Sequence, residues 1–163
     1  MLPDRACFHL DNCVTKRKVL AIASGGGHWV QLLRLRPAFE DCEVVYASVH
    51  AASSAEVPGH RFYSFKDASR KNKLAFFVVV LRMFWILLRE RPDVIVTTGS
   101  GPALICISLG RLFSARTLWI DSIANCKELS TSGRKAKKVA TRCLSQWEEI
   151  ANENQIEYWG RTL

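Results

Sequence analysis

Several motifs that would settle a chain's class at once are missing from this sequence. The six cysteines, Cys7, Cys13, Cys42, Cys106, Cys126 and Cys143, include no CxxC pair. Zinc sites announce themselves through such close spacing, so no metal centre is expected. No apolar run opens the chain, because Met1 to Lys18 carries Asp4, Arg5, Asp11, Lys16, Arg17 and Lys18. A secretory leader is therefore not expected, and reduced thiols in a cytosolic protein are. Neither G-x-G-x-x-G nor G-x-x-x-x-G-K-[ST] occurs, which removes the dinucleotide fingerprint and the phosphate loop of nucleotide triphosphatases. No acidic residue is placed to grip a ribose. There is no internal repeat and no low-complexity segment.

Acidic residues are also scarce. Fifteen Asp and Glu stand against 23 Lys and Arg, a formal charge of +8 that calls for an anionic partner. Nucleic acid, a phosphorylated substrate and acidic lipid all fit that charge. The basic stretch from Gly133 to Arg142 has no aromatic or polar base readers among its cations, so nucleic acid is not expected there. That stretch reads either as a solvated helix face or as a contact for anionic lipid.

What is present is enough for a core: 48% of the 163 residues are hydrophobic. The expected organisation is a polar tail over residues 1–17 and a single domain over 18–163. From Lys18 onward, strand signals alternate with helix signals, which predicts an α/β fold with a Rossmann-like parallel sheet and helices on both faces. Strands are expected at Val19–Ala23, Glu43–Ser48, Arg61–Phe65, Asp93–Thr97, Thr117–Asp121 and Leu144–Trp147, with a last one at Ile156–Trp159. Helices are expected at His28–Arg36, Lys71–Glu90, Pro102–Phe113, Gly133–Cys143 and Glu148–Asn154. Pro92 marks the end of the long helix and Pro102 the start of the next.

Two glycine loops follow strands. Val19–Ala23 runs into Ser24, Gly25, Gly26, Gly27 and His28, and Asp93–Thr97 runs into Thr98, Gly99, Ser100, Gly101 and Pro102. Glycines let backbone approach a ligand, and the helix N-terminus behind each loop offers free N–H groups and partial positive charge to an anion. With a 3-2-1-4-5 strand order the two loops would face each other across the crevice where doubly wound sheets bind ligands. Tight strand-to-helix turns without a ligand are the plainer alternative. At a helix N-terminus a protonated His28 is disfavoured, so a neutral imidazole able to accept a proton is expected near neutral pH. A capping or merely hydrogen-bonding histidine is the other reading.

The most apolar stretch, Leu74 to Leu88, covers about 22 Å as a helix, short of the roughly 30 Å hydrocarbon core of a bilayer. Its flanks are basic, with Lys66, Arg70, Lys71 and Lys73 before it and Arg89 and Arg91 after. One face can pack on the sheet while another, including Phe77, Arg82, Phe84 and Trp85, meets an anionic membrane surface. A core helix, or one covered by a partner protein, has the same pattern.

Five stretches, SGGGHWVQLLRL (24–35), RPDVIVTTGSGPAL (91–104), LWIDSIANCKELSTSGR (118–134), LSQWEE (144–149) and EYWG (157–160), together resemble the family of the membrane-anchor subunit of the UDP-N-acetylglucosamine transferase of asparagine-linked glycosylation. Bacterial relatives such as PssD and CpsF of exopolysaccharide and capsule synthesis are similar. The resemblance implies the N-terminal half of a GT-B glycosyltransferase related to MurG, binding acceptor and membrane while a separate donor-binding C-terminal-half chain completes a heterodimer. It implies transfer from a UDP-sugar to a polyprenyl-diphosphate-linked saccharide, with no metal and no cofactor, at the cytoplasmic face of a membrane to which the chain is peripheral. It places Gly26, Gly27 and His28 in the active-site loop, Thr98, Gly99, Ser100 and Gly101 in a second loop, and Asp121 with Ser122 in a third element; Asp121 stands where the family more often has glutamate. Trp147 matches a tryptophan common near the end of the domain. The eukaryotic anchor subunits begin with a transmembrane helix and this chain begins with a polar stretch, so membrane contact is expected through Leu74–Leu88 or a partner. A non-catalytic scaffold that recruits a catalytic chain, and a stand-alone phosphate-binding α/β protein, are the alternatives.

Overall fold

Strands covered on both faces need continuous apolar, β-branched runs, and VLAIA, VVYAS and VIVTT supply them at the centre of the sheet. The computed structural model describes residues 16–66 and 73–162. Its strands are β1 (Lys18–Ile22), β2 (Glu43–Ser48), β3 (Arg61–Ser64), β4 (Val94–Thr97), β5 (Arg116–Ile120), β6 (Arg142–Ser145) and β7 (Glu157–Tyr158). They pair in parallel in the order β3-β2-β1-β4-β5-β6-β7, so the expected 3-2-1-4-5 arrangement is the core of the observed one. The order reverses between β1 and β4, where Ile22 is level with Thr97 and the two glycine loops leave side by side.

The helices are α1 (Gly27–Arg34), α2 (Lys73–Glu90), α3 (Gly101–Gly110), α4 (Thr131–Val139) and α5 (Glu148–Asn154). Val79, Met83, Ile86 and Leu87 of α2 and Cys106 and Ile107 of α3 bury Leu20, Ile22, Val45, Ile95 and Trp119 on one face of the sheet. Trp29 and Leu32 of α1 cover Ala21, Tyr46, Val96 and Ile120 on the other. Gly110 lets α3 settle onto the sheet, since a Cβ there would stand 2.4 Å from the Ile95 side chain.

Several boundaries differ from expectation. The first helix ends at Arg34 and continues only as a 3-10 turn over Arg36–Phe39, because Pro37 has no N–H to extend an α-helix. Between β2 and β3 the chain forms a 3-10 helix, Ala51–Glu56. The helix expected at Gly133–Cys143 starts and stops earlier, and the following strand is Arg142–Ser145 rather than Leu144–Trp147. Its start is set by Ser130, whose hydroxyl accepts the Gly133 N–H at 2.8 Å. Its end is set by Thr141, which exchanges backbone-to-hydroxyl bonds of 2.9 and 3.0 Å with Thr117 and so joins the sheet.

The inner face of α2 is core, while Leu74, Phe77, Val78, Leu81 and Leu88 stand outward and exposed. Phe84 and Trp85 are also exposed. Arg82 is drawn back to the sheet edge, with its guanidinium 5.0 Å from the Trp85 ring centre and within 3.3 Å of the Ser64 carbonyl. At the end of α2 the buried Glu90 carboxylate lies 3.0 Å from Arg61 and 3.6 Å from Lys18, and it accepts the Tyr63 hydroxyl, which ties the helix to two strands. No helix among the described residues is long and apolar enough to cross a membrane. Of the tail expected over 1–17, residues 1–15 lie outside the described residues, as do the flanking Arg70 and Lys71.

Candidate active site

Both glycine loops need their glycines. Gly26 has φ +64° and Gly99 has φ +118°, in the region that L side chains avoid. Gly25 lies against the His50 ring, where an added Cβ would stand 2.1 Å from Cδ2. Gly99 lies against His28, where an added Cβ would meet Cδ2 and Nε2 at 2.9 Å. The two loops are therefore in contact, and His28 sits between them. A further tie is the Thr98 hydroxyl, which donates to the His28 carbonyl at 2.6 Å. Ser100, at φ +141°, holds an unusual backbone conformation for a non-glycine residue, and its hydroxyl caps α3 by accepting the Ala103 N–H at 3.2 Å.

No side chain caps α1 at Gly26, so the N–H groups of its first turn stay open toward the crevice. The capping alternative for His28 thus fails in this geometry, and neither imidazole nitrogen has a hydrogen-bond partner among the described residues. Burial lowers the His28 pKa below its ordinary 6.5, with the Asp121 charge pulling the other way more weakly. A neutral, half-buried imidazole beside two open loops can accept a proton from a bound hydroxyl.

Asp121 closes the third side at the end of β5. Its carboxylate is buried and accepts four hydrogen bonds, from Trp119 Nε1 (3.2 Å), Asn125 Nδ2 (3.0 Å), the Ser130 N–H (2.9 Å) and the Ser130 hydroxyl (2.6 Å). Gly133 leaves room for it, since a Cβ there would stand 2.7 Å from Asp121 Oδ1. Ser122 is likewise engaged, accepting from Gln31 Nε2 at 3.0 Å. Gly27 and Gly101 start their helices with open space around them. All ten expected catalytic and substrate-binding residues thus lie at the C-terminal edge of the sheet, on the loops after β1, β4 and β5. Phe77, Phe84 and Trp85 lie apart on the exposed face of α2.

Gln31 and Gln146 were not foreseen. Both are buried, and they join α1, the loop after β5 and the segment after β7: Gln31 Oε1 accepts from the Ile123 N–H (3.1 Å) and Gln146 Nε2 (2.9 Å), and Gln146 Oε1 accepts the Thr162 N–H (2.9 Å). Trp147 Nε1 donates to the Ile123 carbonyl at 2.8 Å, so the matched tryptophan pins the third loop. Each of these residues falls inside a stretch that carries the family resemblance, which is the signal that could have found them. His50, against Gly25, falls in none. Among the described residues no three His, Cys, Asp or Glu side chains gather as metal ligands would.

A parallel sheet reversing at β1 and β4, with paired glycine loops over the reversal, defines the Rossmann-like half of a GT-B protein. Solved structures share it. MurG from Acinetobacter baumannii superposes with a TM-score of 0.67 over 89% of this chain and 44% of its own, at 14% identity. The UDP-GlcNAc 2-epimerase of Methanocaldococcus jannaschii superposes at 0.61 over 84% and 41%, at 15% identity. Residues 74–162 match the family described as "Oligosaccharide biosynthesis protein Alg14 like", and the chain belongs to that family. It is similar to the UDP-N-acetylglucosamine transferase subunit ALG14 of Cryptococcus neoformans, 27% identical over 52% of this chain and 41% of the relative. It is also similar to the subunit alg14 of Schizosaccharomyces pombe, 26% identical over 89% of this chain and 83% of the relative. The chain therefore spans less than half the length of the first of these relatives and most of the second.

Proposed function

We propose that this chain is the acceptor-side, membrane-facing half of a glycosyltransferase that moves a sugar from a UDP-sugar to a polyprenyl-diphosphate-linked saccharide, with the donor bound by a partner chain carrying the other GT-B half. The observation that carries the reading is the unpartnered His28 imidazole held between two glycine loops that open onto helix N-termini. The loops offer N–H groups and positive partial charge to the acceptor's diphosphate. His28 takes the proton of the acceptor hydroxyl, whose oxygen forms a bond to the sugar's anomeric carbon as the bond from that carbon to UDP breaks and UDP departs with the electron pair. Asp121 acts on this step as a positioning group: it sets the loop after β5 and holds a negative charge near His28, favouring the imidazolium that forms. The family membership and the transferase-subunit names of the relatives support the reaction class and a partner chain.

The test is His28→Ala in the assembled enzyme. A lost general base lowers turnover by roughly 10²–10⁴-fold, with the thermal midpoint of the variant near that of the native chain. Near-native turnover by folded variant would remove His28 from the chemistry and leave the loops as an anion site, as a recruiting scaffold would require.

A further inference from the structure

We propose that the groove between α2 and α3 binds the first isoprenoid units of the acceptor's lipid tail, a reading that rests on the diphosphate cleft proposed above. The groove measures about 380 Å³, within the roughly 300–1,000 Å³ typical of small-molecule sites. Phe76 and Val80 of α2 form one wall, and Leu104, Ile105 and Leu109 of α3 form the other. α3 carries no charged residue over Gly101–Gly110 and is apolar all round, a composition that belongs to a buried helix. Its sheet side, Ala103, Cys106 and Ile107, is buried, but Leu104, Ile105 and Leu109 are left half-covered and face the groove.

Position and charge select the occupant. One end of the groove is Gly101, the last glycine of the second loop, where nothing lies within 4 Å of a would-be Cβ. The glycine thus leaves the junction of loop and groove without a side chain of its own. Lys135 of α4 is the only charged residue among those lining it, and no carboxylate does. Arg134 pairs with Glu128 and Lys137 donates to the Asn154 carbonyl, whereas Lys135 has no ion-pair partner among the described residues. An apolar chain with an anionic head matches that lining: the head on the loop and near Lys135, the chain along α3. The α2 wall of the groove, Phe76 and Val80, is next to the exposed Phe77 and Leu81 of the same helix. A tail along that wall therefore lies beside the surface proposed to meet the bilayer.

The test compares farnesyl diphosphate with inorganic diphosphate as ligands of the native chain, by equilibrium dialysis. Each buried methylene contributes roughly fourfold in affinity, so farnesyl diphosphate should bind at least tenfold more tightly. Ser108→Trp, which fills the groove from an exposed position, should abolish that advantage, and Ile105→Gln should reduce it if the tryptophan variant does not fold. Equal affinities for the two probes would overturn the proposal, as would an advantage that survives Ser108→Trp. An advantage lost on Phe77→Asp instead would put the tail on the outer face of α2 and overturn it too. If inorganic diphosphate fails to bind at all, the cleft reading falls; farnesol binding that Ser108→Trp removes would then keep the groove as an isoprenoid site, and farnesol binding unaffected by it would reject both.

Discussion

The Asp121 carboxylate accepts four hydrogen bonds, while the His28 imidazole a short way across the crevice accepts none. That contrast separates a residue whose bonds are spent on the fold from one left free for a ligand. Asp121→Asn turns one acceptor oxygen into a donor facing other donors. It should cost about 1–3 kcal/mol of stability, the usual range for a buried polar group left unsatisfied, measurable by urea denaturation. The same substitution removes the charge that partly offsets burial at His28, so the acidic limb of kcat/KM should move further toward low pH. In the native enzyme that limb should already lie below pH 6.5, because burial lowers the imidazole's pKa from that value. Stability follows the same shift with a definite sign. The unfolded chain takes up the proton first, so stability declines as pH falls through 6.5 and the loss is complete below the lower folded value. His28→Ala should lack this component, and a limb centred above pH 6.5 would argue against the environment described.

At the scale of elements, α2 has a buried inner face and an exposed apolar outer face. Met83→Ala on the inner face should cost about 2–5 kcal/mol, as buried large-to-small substitutions do. On the outer face, Phe77→Asp with Leu81→Asp should leave the thermal midpoint nearly unchanged and weaken flotation with vesicles containing acidic lipid. Added salt should weaken only the electrostatic share of that binding. Flotation that ignores both substitutions would leave the outer face to a protein partner. The two-faced helix was legible because fourteen apolar positions among the fifteen of Leu74–Leu88, flanked by cations, exceed what one sheet-facing stripe requires. The boundary between α4 and β6 was not, because the Thr117–Thr141 exchange that fixes it joins residues 24 apart in sequence. Glu90 escaped for the same reason, since its role depends on Lys18 and Arg61 arriving from other strands.

Across the whole molecule, strand order turned two local signals into one site. The glycine loops stood out in sequence because Gly26 and Gly99 hold conformations that favour glycine, and Gly25 and Gly99 lie against histidine rings. That they touch through His28 follows from β1 and β4 being neighbours, which the alternation of elements suggested and the sheet provides. Gln31, Gln146 and His50 carry no comparable local pattern, and their contacts exist only once segments distant in sequence are brought together. As proposed, this crevice holds the acceptor and depends on a second chain for the donor. The most direct measurement is transfer from labelled UDP-N-acetylglucosamine to a polyprenyl-diphosphate-linked acceptor by this chain alone, by the donor-binding chain alone, and by the two together. Transfer by the mixture and by neither component is the predicted result, and robust turnover by this chain alone would contradict the account.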